Sequence, residues 1–366
     1  MPIVRVTLVL LLLAVNALEA RGVRVMFDPQ RADVGPFPTD FLTLPDATQR
    51  TGKRVNLPLP DCGREPSTCG EISIVNQYDG FNLQARLSVR FTGPIDPDTL
   101  RAGVFYVWLE PLAQDEFGQG PVGRLSLINQ IYYDPATNTG YAKPDDALDQ
   151  TRRYAIIVTD AVRDAAGDPV EAEFGFQACL DRLLGGSYCD ALSSAVARAA
   201  TIFPGRRIVG GSVFTTLSGT TFLERARTAI QDSATGLQPT GTTSIFTLNN
   251  LRSMVWRPQA RPSGEQLQNV PFPVPPALLA QAGVGRVAFA SLRSPRFLTP
   301  QQVIPQLPTG AASLPLPPES EEIFFHVWLP ATPPPPGGYP VILAGHGIGD
   351  SRFGMPTAIA LGVAAR

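Results

Sequence analysis

The feature that most constrains this chain is an unbroken apolar run, Val341-Ile342-Leu343-Ala344, that stops at a cluster of glycines. Such a run has no polar face. It predicts a strand buried on both sides, as in a parallel sheet covered by helices. Gly345, Gly347 and Gly349 alternate with His346 and Ile348 and predict a tight turn. Asp350 and Ser351 are both able to cap a helix, and Pro356 suits a first helical turn. Ala358, Ile359, Ala360, Leu361, Val363 and Ala364 read as that helix. A buried parallel strand needs a neighbour on each side, reached by a crossover of about a dozen residues. Nothing after Arg366 supplies one, so the expectation is a chain carrying only the front of its last domain.

The 366 residues suffice for two or three domains, and a formal net charge of −2 argues against a nucleic-acid surface or a polybasic membrane patch. Pro and Gly are abundant (37 and 33) and charged residues sparse at 17%, yet 44% hydrophobic content in regular patterns favours a loop-rich folded protein over disorder. Residues 1–20 predict a signal peptide. Arg5 precedes an apolar run, Val6 to Val15, that is too short to span a bilayer, and Ala17 or Ala20 would end it. The alternative is a membrane anchor; length and flanks favour a cleaved signal, which leaves no stable membrane span. The location expected is secreted, extracellular or periplasmic.

The cysteines agree with export. Cys62 with Cys69 and Cys179 with Cys189 form two local pairs. Four cysteines allow three connectivities, of which local pairing is the simplest because each pair closes a small loop. The spacings are not CxxC and neither His lies near them, so no metal site is expected. Oxidised pairs fit an oxidising compartment.

Residues 21–79 are rich in turn formers and predict an extended lead-in pinned by the Cys62–Cys69 loop. Over residues 80–175 the pattern becomes one of short strands. Leu87, Val89 and Phe91 alternate with Arg86, Ser88 and Arg90; Phe105, Val107 and Leu109 alternate with Trp108 on the other face. Leu125–Tyr133 and Arg153–Thr159, with Tyr154, Ile156 and Val158 on one face, complete a predicted β-sandwich. Residues 176–240 read as mostly helical with one strand over Arg207–Leu217. In residues 241–366, strands are expected at Val284–Leu292 and Ile323–Leu329, with a further candidate at Leu248–Trp256 and a polyproline connector at Pro333–Pro336.

The runs FTGPIDPDTLRAGVFYVWL and RRYAIIVTDAVRDAAGDPV resemble bacterial Ig-like domains of surface and secreted proteins, with Asp164, Gly167 and Asp168 in the late turn. With FDPQ, FPTDFL, VNLPLP and DGFN upstream, roughly residues 25 to 235 resemble the N-terminal region of bacterial extracellular virulence-factor lipases. The order strand, strand, proline-rich loop, GGYPVILAGHGIG, helix resembles the start of an α/β-hydrolase. The fold class implied is mixed: an Ig-like β-sandwich, a helical segment, then an incomplete α/β-hydrolase domain. The resemblance implies an oxyanion hole at Gly347 and Ile348, with the Ile348 N–H the stronger candidate donor, supported by His346 and Gly345. It implies carboxylic-ester hydrolysis through a serine acyl-enzyme, with an ester or lipid substrate for the full-length relative and no cofactor.

The remaining machinery is absent from the sequence. No G-x-S-x-G occurs: the segments at Gly210-Gly211-Ser212, Gly185-Gly186-Ser187 and Gly349-Asp350-Ser351 all lack the final Gly. A local Ser351–His346–Asp350 set would crowd one turn, whereas triad partners normally converge from separate elements. A nucleotide site at Gly345-x-Gly347-x-Gly349 is opposed by Asp350, where the motif needs glycine. Asp145, Asp146 and Asp149 lack calcium-loop spacing and read as solvated acids. His326 reads as a satisfied structural residue. The expected function is the front of a secreted lipase or esterase, inactive as it stands; the alternative is a non-catalytic exported Ig-like binding or surface module.

Overall fold

The structure is a computed structural model that describes residues 22–28, 31, 34–112, 120–233, 238–256, 270–271, 275–301, 303–305, 308–311, 313–347 and 350–363. The predicted signal peptide lies outside the described residues. The chain forms two compact units, Met1–Glu224 with Gln306–Ser313, and Arg225–Pro305 with Leu314–Arg366. The protein is β-rich, with several sheets and a few helices.

The first unit contains eleven described strands: β1 (Arg24–Val25), β2 (Thr43–Pro45), β3 (Lys53–Val55), β4 (Leu87–Arg90), β5 (Val104–Pro111), β6 (Leu125–Ser126), β7 (Ile128–Asp134), β8 (Thr139–Pro144), β9 (Arg152–Thr159), β10 (Glu171–Ala172) and β11 (Ile208–Thr215). Its helices are α1 (Pro66–Val75), α2 (Leu100–Gly103), α3 (Phe174–Leu180) and α4 (Ser187–Ile202), and α5 (Thr221–Gln231) begins at its end. One sheet runs β4-β8-β7 and the other β11-β9-β5-β6, all antiparallel. Their facing side chains form one core: Leu87, Val89 and Phe91 against Tyr106, Trp108, Tyr154, Ile156 and Phe214.

The alternation read from β5 and β9 is present, but both faces are covered. Val107, Leu109, Ala155, Ile157 and Val213 pack away from the sandwich onto Phe176, Leu192, Ala195 and Ala199 of α3 and α4. Ile156 and Ile157 are each 0% exposed on opposite faces of β9, and each contributes about 1.5–3 kcal/mol of transfer free energy. The single strand expected over Leu125–Tyr133 is instead two, β6 in one sheet and β7 in the other, with the chain changing sheets at the exposed Leu127.

The lead-in does pack across the sandwich. β1 pairs in parallel with β10, and Phe37 and Ser88 exchange backbone hydrogen bonds at 2.9 Å. Val25 seats on β11, where a Cβ at Gly210 would lie 2.5 Å from its Cγ1. Ser212 is 1% exposed and donates to the Pro38 carbonyl at 2.8 Å. The Gly210-Gly211-Ser212 segment is therefore a strand built for close packing. Both expected disulfides form, Cys62–Cys69 and Cys179–Cys189. Residues 308–311 rejoin this unit: the Gly310 N–H donates to the Thr48 carbonyl at 2.8 Å, and the Thr309 hydroxyl donates to Asp79 Oδ2 at 2.6 Å.

The second unit holds β12 (Gln238–Thr247), β13 (Val255–Trp256), β14 (Val270–Pro271), β15 (Val284–Pro295), β16 (Ser320–Pro330), α6 (Pro276–Gln281) and α7 (Met355–Val363). β12, β15 and β16 form an antiparallel sheet with β15 central. β15 and β16 match the expected strands; β12 lies where a Thr-rich stretch gave no strand signal, and most of Leu248–Trp256 is not a strand. The buried centre of this unit is small: Leu248, Leu279, Val284 and Val287.

Here the strongest expectation fails. Val341, Ile342 and Leu343 belong to no strand and are 86%, 61% and 97% exposed. The sheet of this unit is antiparallel and no parallel pairing occurs in it among the described residues, so the run lacks the two hydrogen-bonding neighbours a buried parallel strand requires. An α/β-hydrolase arrangement is not shown. The helix expected after the turn is present as α7, with Pro356 in its first turn.

Candidate functional site

Two places invite a functional reading. The first is the glycine turn. Gly345 and Gly347 are exposed, a Cβ added at either would meet nothing within 4 Å, and neither has a left-handed φ. A turn does close here, with the Asp350 N–H donating to the Gly347 carbonyl at 3.2 Å, but neither Gly345 nor Gly347 has to be glycine for it. His346 Nδ1 lies 3.1 Å from the Gly347 carbonyl. Ile348, the proposed oxyanion donor, and Gly349 lie outside the described residues. The Asp350 carboxylate accepts the Met355 N–H at 3.0 Å and the Ser351 N–H at 2.7 Å. Those two bonds, more than the nearby His346, hold it below the usual carboxylate range. The Ser351 hydroxyl accepts the Phe353 N–H at 3.2 Å. The three residues thus serve the turn and the start of α7, and no Ser351–His346 bond joins them into a relay.

The other histidine departs from expectation in one respect. His326, on β16, stacks on Phe353 with ring centroids 5.0 Å apart and meets Trp328 edge-on at 5.1 Å. Its Nδ1 is buried with no hydrogen-bond partner, so it is structural but not fully satisfied. Burial, helped by the charge of Arg352, lowers its pKa from 6.5 to about 4.

Of the acidic trio, Asp145 and Asp146 are exposed as expected, and Asp149 is the exception. Asp149 pairs with Arg152 at 3.1 Å and accepts the Gly120 N–H at 3.0 Å, while Asp146 pairs with Arg124 at 2.8 Å. Arg152 is 2% exposed, and its Nε–H donates to the Leu109 carbonyl at 2.8 Å. This is a buried pair that anchors strand ends. No grouping of three or more His, Cys, Asp or Glu able to hold a metal occurs among the described residues.

The second place is a cleft of 660 Å³ in the first unit. One wall is the face of α4 carrying Ser187, Ala191, Ser194, Ala195 and Arg198. Small side chains at this spacing share one helix face and leave room beside it. The opposite wall is the β2–β3 hairpin, through Thr43, Pro45, Gly52 and Lys53; Leu109 and Val213 add apolar surface, and Glu110 and Arg153 add charge.

The cleft is rigidly built. Asp40, also in its lining, is 6% exposed at the side chain and forms an ion pair with Lys53. Its carboxylate also accepts the Thr215 N–H and hydroxyl, both at 2.9 Å. These bonds compensate the cost of burying the charge. Tyr188 stacks on Phe41 at 3.6 Å, and its hydroxyl accepts from the Thr39 hydroxyl at 2.9 Å and the Val213 N–H at 3.3 Å. Burial pushes its phenol up, so it stays protonated. Glu110 pairs with Arg153 at 2.7 Å. Sequence reasoning missed this site because its walls come from positions 40–53, 109–110, 153, 187–198 and 213. The one local signal was the polar Thr39-Asp40 pair inside FPTDFL.

Among solved structures, the chain is similar to the S-layer protein rSbsC(31-844) at 13% identity, over 30% of this chain and 15% of that one, with a TM-score of 0.19. The N-terminal part of the bacterial S-layer protein SbsC gives 12% identity, over 30% of this chain and 26% of that one, also with a TM-score of 0.19. The matched part is thus a small share of either. None of the curated proteins matches it. The family model that matches is that of the bacterial Ig-like domain, over residues 64–177, which contain β4 to β10 of the sandwich described above.

Proposed function

We propose that this chain is an exported, disulfide-stapled Ig-like module that binds a partner through the cleft along α4, and that it has no hydrolytic centre of its own. The observation that carries this reading is the contrast between the two candidate places. The cleft has walls fixed by a buried ion pair, a stacked tyrosine and a two-sided core. The glycine turn has its acid and its serine committed to backbone bonds. The Ig-like domain and two disulfides fit an exported protein. No described helix is long and apolar enough to cross a membrane.

The hydrolase reading draws support from α7, which follows the His346 turn as the resemblance implies, with Gly347 and Ile348 as its oxyanion positions. The test is cleavage of p-nitrophenyl butyrate by the purified chain, together with labelling by a serine-directed fluorophosphonate. The binding-module reading expects neither above background. Turnover that the fluorophosphonate abolishes would overturn it.

A further inference from the structure

We infer that the cleft along α4 takes an extended, acidic peptide, with Arg198 receiving a carboxylate. The inference rests on the binding-module reading above and adds the chemistry of the partner. The charges that line the cleft are three cations, Lys53, Arg153 and Arg198, and three anions, Asp40, Glu110 and Asp190. Lys53 is met by Asp40 and Arg153 by Glu110. Asp190 is met by Arg182, which does not line the cleft, at 3.7 Å. Arg198 is exposed and is left without a carboxylate among the described residues. Among the described residues Arg198 is thus the lining cation that no carboxylate answers, and a guanidinium is best answered by a carboxylate, which takes two parallel N–H bonds.

The shape argues for a chain rather than a small ion. From Ser187 to Arg198 the helix rises about 16 Å at 1.5 Å per residue, the length of roughly five extended residues. Half-buried Ala191, with the edges of the buried Leu109, Val213 and Ala195 behind it, forms an apolar floor between the polar ends. Sugar recognition would want an open aromatic face, and the one ring in the lining, Tyr188, is already stacked on Phe41.

The test uses the full chain and fluorescein-labelled hexaglutamate, followed by anisotropy at low ionic strength, with hexalysine as the opposite charge. The expected result is binding of hexaglutamate alone, weakened at least about tenfold by Arg198→Glu, as befits loss of one charge-assisted pair. Ser194→Trp, which fills the cleft, should abolish it; Arg198→Glu lies on an exposed position and keeps the test valid if the tryptophan variant does not fold. Absence of hexaglutamate binding, or binding that Arg198→Glu leaves unchanged, overturns the inference. The p-nitrophenyl ester assay on the same preparation separates this from failure of the binding-module reading, since only ester turnover bears on that.

Discussion

The hydroxyl of Thr99 accepts a hydrogen bond from the Arg163 N–H at 3.0 Å, across 64 residues of chain. It joins the two turns on which the Ig-like reading was based. On one side, Asp96 caps the turn Pro97–Thr99 through Oδ1, 3.1 Å from the Asp98 nitrogen. On the other, Asp164 Oδ1 accepts the N–H groups of Ala166 and Asp168, both at 2.9 Å. The Asp96 N–H donates to the Arg163 carbonyl at 2.9 Å and closes the pair. Two motifs that look like separate loop signatures are one hydrogen-bonded corner of the sandwich.

That corner predicts a graded response. Thr99→Val removes two neutral hydrogen bonds, the one accepted from the Arg163 N–H and the one donated to the Asp96 carbonyl at 2.6 Å, and should cost about 1–2 kcal/mol. Asp164→Ala removes two bonds to a carboxylate that is 9% exposed, and should cost about 1.5–3 kcal/mol. Urea unfolding of the two variants checks the order. Equal losses would mean the Asp164 turn is not part of the cooperative unit.

Gly211 makes a sharper prediction. A Cβ there would lie 2.6 Å from the Ile156 carbonyl oxygen, which belongs to the backbone of β9 and has little room to yield. Gly211→Ala should therefore destabilise by about 1–3 kcal/mol, toward the upper end, by overpacking. Gly167, where φ is +91° and no atom lies within 4 Å, provides the contrast: its substitution is opposed by conformation and not by space. A Gly211→Ala variant as stable as the parent would show that β11 does not pair with β9 in this register.

The sandwich was legible because its strands obey a period of two and its turns carry Asp, Gly and Pro at fixed offsets. What stayed hidden was long-range. Nothing in the alternation of Tyr154, Ala155, Ile156 and Ile157 says that both faces of β9 are covered, one by β4 and β8 and the other by α4. β11 pairs with β9 from beyond two helices, a partnership no local pattern announces. The apolar run at Val341 misled for a related reason: hydrophobicity states a preference for burial, whereas a strand also needs edges to bond to. The cleft was invisible because its charges, Lys53, Arg153 and Arg198, meet only in the fold.

The two disulfides should differ in weight. Cys179 and Cys189 are 0% and 3% exposed within the layer between β9 and α4, ten residues apart. Loop closure alone assigns such a bridge about 2–3 kcal/mol, and replacing both by alanine also opens space in a packed layer. Cys62–Cys69 closes a loop of similar length, but α1 is largely exposed, fully burying only Cys69 and half-burying Ile72 and Val75. The Cys179→Ala/Cys189→Ala variant should melt well below the Cys62→Ala/Cys69→Ala variant. The reverse order would show that α1 carries packing that its exposure conceals.

The second unit should answer to acid through His326. Its pKa is lowered from 6.5 to about 4, chiefly by burial between Phe353 and Trp328 and further by Arg352. A folded-state value below the unfolded one means the unfolded chain binds the proton first. The contribution of this contact is thus fully present above about pH 6.5 and is lost progressively as pH falls toward 4. Trp328 lies 5.1 Å from the imidazole and can report the change. With Trp108→Phe and Trp256→Phe in the background, its emission should titrate with a midpoint near 4, and His326→Phe should remove the transition while keeping the stack on Phe353. A midpoint near 6.5 would place His326 in water and undo the packing described for β16 and the turn before α7.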